Sequence, residues 1–140
     1  MNPPRWIWLA ALIIWACLGT WLFADITVTR DLGGRIGARI TEIEQLGEAE
    51  VRIIGLCASA CTMYLALPNV CVAPGARLVF HGPMSLRGDP LAPAEALRWS
   101  EAMARHYPAA LRQWFMQSAR FQSQTLRGAD MIRMGVRQCE

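Results

Sequence analysis

The chain has 140 residues and a formal charge of +3, and its basic side chains are all arginine, with no lysine anywhere. The charge is mild and the arginines are scattered, with no basic block interleaved by aromatics, which argues against a nucleic-acid partner. The missing lysine excludes a Ser–Lys dyad within this polypeptide, and the length allows one domain with a modest core after an N-terminal segment.

The first element in chain order is the uncharged stretch Trp6 to Ala24. It is long enough to cross a bilayer core, which takes about 20 helical residues, and Trp6, Trp8 and Trp21 sit near its ends as interfacial anchors do. A cleaved signal peptide is the plain alternative, but Leu22-Phe23-Ala24 lacks a small-x-small cleavage site. Residues 1–24 are therefore expected to be a retained membrane anchor, and 25–140 the folded domain. Arg5 before the span and Arg30, Arg35 and Arg39 after it lean slightly towards a cytoplasmic domain. Cys57, Cys61, Cys71 and Cys139, an even set in a small domain, lean towards the oxidising side. The expectation is a single-pass cell-membrane protein whose domain is periplasmic or otherwise extracytoplasmic.

Ile26 to Thr29 reads as a strand, ended by the turn Asp31-Leu32-Gly33-Gly34. From Arg35, the apolar positions Ile36, Ile40, Ile43 and Leu46 recur at helical spacing, and Gly47 is placed to cap the helix. Val51 to Ile54 is a second strand. A buried helix opens near Ser59 and runs to Leu67, where Pro68-Asn69 stops it. A strand from Arg77 to Phe80 then delivers His81. Gly82 to Pro93 is a loop, Ala94 to His106 a helix, and Pro108 kinks it or starts another running to Ala119. The stretch from Phe121 to Thr125 shows no clear pattern. Gly128 to Met134 is a short helix, and Val136 to Cys139 is placed as a final strand. The alternation of strand and helix predicts an α/β fold with parallel strands and right-handed crossovers.

Two side chains carry potential chemistry. Ser59 stands between a strand and a helix, where unpaired backbone N–H groups stabilise an oxyanion. His81 stands at a strand end, where ligand-facing residues collect in open α/β sheets. The plain alternatives are an N-cap serine and a hydrogen-bonded structural histidine, both common. Without lysine, histidine is the natural base for a serine nucleophile. Gly33-Gly34 is either a tight turn or a backbone approach to a substrate carbonyl, with Gly34 and Ala60 N–H groups as oxyanion donors. His106 reads as solvent-facing. The cysteines admit zinc ligation, though at no usual spacing, free thiols or disulfides, with three pairings open. A bridge involving Cys57 or Cys61 would stiffen the turn at Ser59. No Cys-x-x-Cys is present, which argues against a thiol redox protein.

The order Asp-Leu-Gly-Gly at Asp31–Gly34, Cys-Ala-Ser-Ala-Cys-Thr at Cys57–Thr62, and Pro-Gly-Ala-Arg-Leu-Val-Phe-His-Gly-Pro at Pro74–Pro83 resembles the Clp protease proteolytic subunit of the Clp/crotonase superfamily. It is most similar to periplasmic-type Clp-like proteins with cysteines around the serine. The family's own pieces are a Ser-Pro-Gly-Gly turn, Ser-Met-Gly and Ile-His-Gln-Pro. The segment Leu126 to Val136 resembles the family's Leu-Ser-Ala-x-Glu-Ala-x-x-x-Gly-Leu. The resemblance implies a Clp/crotonase-like βα superhelix, with Ser59 as nucleophile, His81 as base, and Gly34 and Ala60 forming the oxyanion hole. It implies a peptide or protein substrate and no metal or cofactor, with a homo-oligomer left open.

Two departures stand out. The family's catalytic aspartate falls near Ser123 here, and no carboxylate side chain occurs between Glu101 and Asp130. The family's N-terminal strands are replaced by the anchor. The chain then uses a Ser–His dyad, borrows Asp130, or has lost activity and serves as an envelope protein that binds a peptide or partner.

Overall fold

Three parallel pairings organise residues 25–140, the part of the chain that the structure, a computed structural model, describes. Strand β1 (Ile26–Asp31) lies beside β2 (Val51–Ala58). Along the other edge of β2 run two segments in succession. β3 (Val70–Val72) pairs with Val51 to Ile53, and β4 (Arg77–Phe80) pairs with Leu56 to Ala58. The sheet is thus mixed α/β and mostly parallel, as the alternation predicts. Its last strand corrects that expectation: β5 (Gln124–Arg127) runs antiparallel to β4, from Arg77↔Arg127 to Phe80↔Gln124. Only Leu126 of β5 packs against the core. A strand of four residues with one inward apolar side chain shows too little periodicity to be seen in sequence.

The elements follow the sequence closely elsewhere. Helix α1 (Ile36–Leu46) turns Ile43 fully inward and Ile36, Ile40 and Leu46 partly so, and ends at Gly47 with φ +52°. The buried helix after β2 is a 3-10 helix, Ser59–Ala66, whose residues 60–65 are all buried. It is buried on nearly every side, and the hydroxyls it carries inward, on Thr62 and Tyr64, are hydrogen-bonded. α2 (Pro93–Ala104) starts with proline in its first turn, where a missing N–H costs nothing. α3 (Ala109–Trp114) follows Pro108 and continues as a π-helical stretch, Phe115–Ala119. α4 (Gly128–Arg133) comes directly after β5. The final strand expected at Val136 to Cys139 is reduced to one parallel bridge between Val72 and Gln138. Cys139 is tied there both by its N–H to Val72 O and by a disulfide to Cys71.

The core lies between the sheet and the helices. Ile53, Leu78 and Phe80 of the sheet are fully buried, as is Phe115. Phe80 meets Tyr107 and Trp114 edge-on at 5.6 and 5.4 Å, and Tyr107 meets Phe115 at 5.2 Å. This aromatic cluster anchors the residue immediately before His81. Among the described residues no helix is long and apolar enough to cross a membrane. The anchor expected at residues 1–24 lies outside the described residues.

Candidate active site

The parallel strands β1, β2 and β4 end at the same side of the sheet, and the chain leaving each carries one part of the site. After β1 comes Gly33-Gly34, after β2 comes Ser59, and after β4 comes His81. This is the carboxyl edge of a parallel sheet, where crevices open.

Ser59 is the one non-glycine among the described residues with a positive φ, at +57°. A side chain in this left-handed region costs about 1–2 kcal/mol, so the surroundings must hold it there. They do so from three sides. Cys57 and Cys61, both fully buried, are joined by a disulfide that closes the chain around Ser59. Thr62 Oγ1 donates to the Ser59 carbonyl at 2.6 Å and, its proton so used, accepts from the Tyr107 hydroxyl at 2.7 Å. Burial raises the Tyr107 pKa well above its ordinary value, against a smaller opposing effect of Thr62, so this hydroxyl keeps its proton.

The third support is the glycine turn. Gly33 (φ +96°) lies so close to the serine that a Cβ there would stand 2.7 Å from both the Ala58 oxygen and the Ser59 Cβ, and 2.8 Å from the Ala60 nitrogen. Gly34 (φ +120°) opens into the cleft beside it. Ala60 is wholly buried in the wall behind Ser59, and its N–H, at the start of a 3-10 helix, has no acceptor within that helix.

Beneath the turn lies a network that sequence reasoning missed. The Gly33 N–H donates to Asp31 Oδ1 at 2.7 Å, and Asp31 Oδ2 meets Arg39 at 2.6 Å. Arg39, buried to 7% exposure, also meets Glu42 at 3.0 Å and lies 4.3 Å over the Tyr64 ring. Tyr64 donates its hydroxyl proton to Glu42 at 2.7 Å. Burial first, then that bond to Glu42, raises the Tyr64 pKa, with Arg39 opposing. A signal existed in the sequence: Arg39 interrupts the apolar stripe Ile36, Ile40, Ile43, and a charge on a buried face needs partners.

His81 and Ser59 line one cleft of about 650 Å³. Its walls are polar and apolar in nearly equal measure, with apolar side chains from Leu32, Ile36, Met84, Leu86, Leu91 and Trp99, and Arg35 and Glu95 adding one charge of each sign. No hydrogen bond joins the two side chains among the described residues; His81 Nδ1 instead lies 2.7 Å from the Gly82 carbonyl oxygen. A smaller cavity of about 240 Å³ shares His81, Pro83 and Met84 with the cleft and is also lined by Arg120, Phe121, Gln122 and Ser123. Ser123, where the resemblance implies a carboxylate, thus lines one cavity with His81.

Asp130 does not. It follows β5 beyond Arg127, which pairs with Arg77 at the start of β4, whereas His81 follows the end of β4. Its carboxylate is occupied by the Arg127 N–H at 2.7 Å and by Arg133. A third member at Asp130 is thus corrected: the length of β4 separates it from the histidine. His106 lies away from the cleft, half-buried, with Nδ1 2.8 Å from Ala102 O at the end of α2. The cysteine alternatives resolve to Cys57–Cys61 and Cys71–Cys139, and sulfurs joined to each other are not available as zinc ligands. No family model matches this chain, and no curated protein matches it either.

Proposed function

We propose that this protein is a membrane-anchored serine hydrolase of the Clp/crotonase type, acting on peptides. One observation carries the reading: Ser59 is held in a left-handed backbone conformation at a strand-to-helix junction, in the same cleft as His81 and against the Gly33-Gly34 turn. Such a conformation in a non-glycine is retained where the surroundings over-determine it, and these cases cluster at functional sites. In the mechanism, Ser59 Oγ attacks a substrate carbonyl while its proton passes to His81 Nε2. The carbonyl oxygen becomes an oxyanion and accepts from the Gly34 and Ala60 N–H groups. Collapse returns the proton from His81 to the leaving amine and leaves an acyl-Ser59, which water then hydrolyses by the same route. Two disulfides in so small a domain support an oxidising compartment, and with it an exported domain behind the anchor. A peptide, with its polar backbone and apolar side chains, suits a cleft whose walls mix polar and apolar surface.

The second reading is a protein that keeps this fold to bind a peptide without cutting it. It draws on the absence, among the described residues, of a Ser59–His81 hydrogen bond and of a carboxylate hydrogen-bonded to the ring. A fluorophosphonate probe on the full-length protein separates the two. Covalent labelling is expected at Ser59, abolished in Ser59→Ala and reduced by about 100-fold or more in His81→Ala, the usual scale of general-base assistance. A folded wild type that takes no label makes the binding reading the correct one.

A further inference from the structure

We propose that the backbone carbonyl of Gly82 is the positioning group for His81, taking over the tautomer-setting part of the role that a carboxylate plays in a Ser-His-Asp triad. The inference rests on the hydrolase reading for its purpose, but its geometry stands independently. A carbonyl oxygen only accepts, so at 2.7 Å from Nδ1 it requires the ring proton to be on Nδ1. The lone pair of the neutral ring is then on Nε2, the nitrogen a general base needs, because the bond at one ring nitrogen sets the state of the other.

The carbonyl is itself held in place. Pro83 follows, and the residue before a proline is biased away from helical backbone, which narrows where the Gly82 oxygen can point. On one side Phe80 is locked into the aromatic cluster with Tyr107 and Trp114. On the other, Gly82 presses against the chain leaving the π-helical stretch: a Cβ on Gly82 would sit 2.2 Å from the Arg120 carbonyl oxygen. Any larger residue must move this peptide. Ser123, on the neighbouring cavity, brings no charge. Loss of a triad aspartate costs about 10⁴ in rate when it leaves the wrong tautomer. A fixed carbonyl keeps the right tautomer and forgoes only the full negative charge facing the imidazolium.

The experiment is nitrogen-15 NMR of the histidine side chains in the full-length protein. A His106→Gln background leaves a single imidazole to observe. At a pH where the ring is neutral, Nδ1 should appear as the protonated, pyrrole-type nitrogen and Nε2 as the pyridine-type one. A ring protonated at Nε2, or one averaging between both forms, overturns the assignment. In Gly82→Ala the tautomer preference should be lost and fluorophosphonate labelling of Ser59 should fall at least tenfold; an unchanged tautomer and rate in the folded variant overturn it. If that variant does not fold, the wild-type spectrum decides. Ser123→Asp should raise labelling by about tenfold or less, because the tautomer is already set; a gain approaching the full 10⁴ overturns the proposal. Nδ1 protonation with no labelling at all leaves the Gly82–His81 geometry standing and removes the hydrolase reading instead.

Discussion

The two walls of the cleft are built on different principles. The wall carrying Gly33, Gly34 and Ser59 is over-determined. A buried arginine serves Asp31, Glu42 and the Tyr64 ring beneath it, a disulfide closes around the serine, and the Thr62–Tyr107 pair holds the serine carbonyl. The wall carrying His81 is lighter. Its ring has one polar contact, to the adjacent carbonyl, and the loop that follows exposes Met84 and Leu86 to solvent. That loop closes on itself, through a Met84–Pro90 bridge, backbone bonds from Ser85 N–H to Asp89 O and from Gly88 N–H to Ser85 O, and the Ser85 hydroxyl, which accepts from the Arg87 and Asp89 N–H groups. On the proposed hydrolase reading, the contrast suits acyl transfer. Oxyanion donors act through preorganisation and lose their value when they move. A base and the loop beside it must admit and release a substrate.

The largest effect that sharpens this contrast belongs to Gly33→Ala. The new Cβ meets the Ala58 oxygen and Ser59 Cβ, and φ +96° is strained for alanine. A loss of about 3 kcal/mol is expected from strain and overpacking together, read by chemical denaturation. Ser59 labelling should disappear with it. A shift under about 0.5 kcal/mol would mean that the turn wall is not rigid.

Arg39→Met comes next. It strands Asp31 and Glu42, but both keep some solvent, so the cost falls below that of a fully buried pair, at about 2 kcal/mol. For a domain of this size that corresponds to a fall of roughly 10 °C in Tm. Labelling at Ser59 should drop as well, because the Gly33 peptide loses its support. Unchanged reactivity in the destabilised variant would show that the network serves stability alone.

Leu86→Ser is the smallest in stability and tests the other wall. At 75% exposure, Leu86 should be replaceable within about 0.5 kcal/mol. Labelling by a long-chain fluorophosphonate should nevertheless fall several-fold, while a short-chain probe reacts as before. Equal loss with both probes would mean that the loop shapes His81 rather than the substrate.

These walls were unequally legible in the sequence. Ser59, His81 and the glycine turn stand out because each follows an apolar strand, and strand ends on one side of a parallel sheet converge. The supports are another matter. Arg39 and Tyr64 are far apart in the chain and meet only because α1 packs against the 3-10 helix. Thr62 and Tyr107, 45 residues apart, meet for the same kind of reason. Asp130 looked eligible because it is the first carboxylate after Glu101, and distance along the chain does not reveal that β5 runs antiparallel and carries it to the wrong end of β4.

Local chemistry therefore settled what short-range rules govern. The period of Ile36, Ile40, Ile43 and Leu46 makes α1, Gly47 ends it, and the alternation of Leu78 and Phe80 makes β4. The absence of lysine excluded a Ser–Lys dyad. Tertiary structure alone decided which cysteines pair, which direction β5 takes, and which groups hold Ser59 and His81 in place. Those outcomes depend on contacts between residues distant in sequence. Such contacts are selected by the joint packing of the whole core, and no local pattern of residues encodes them.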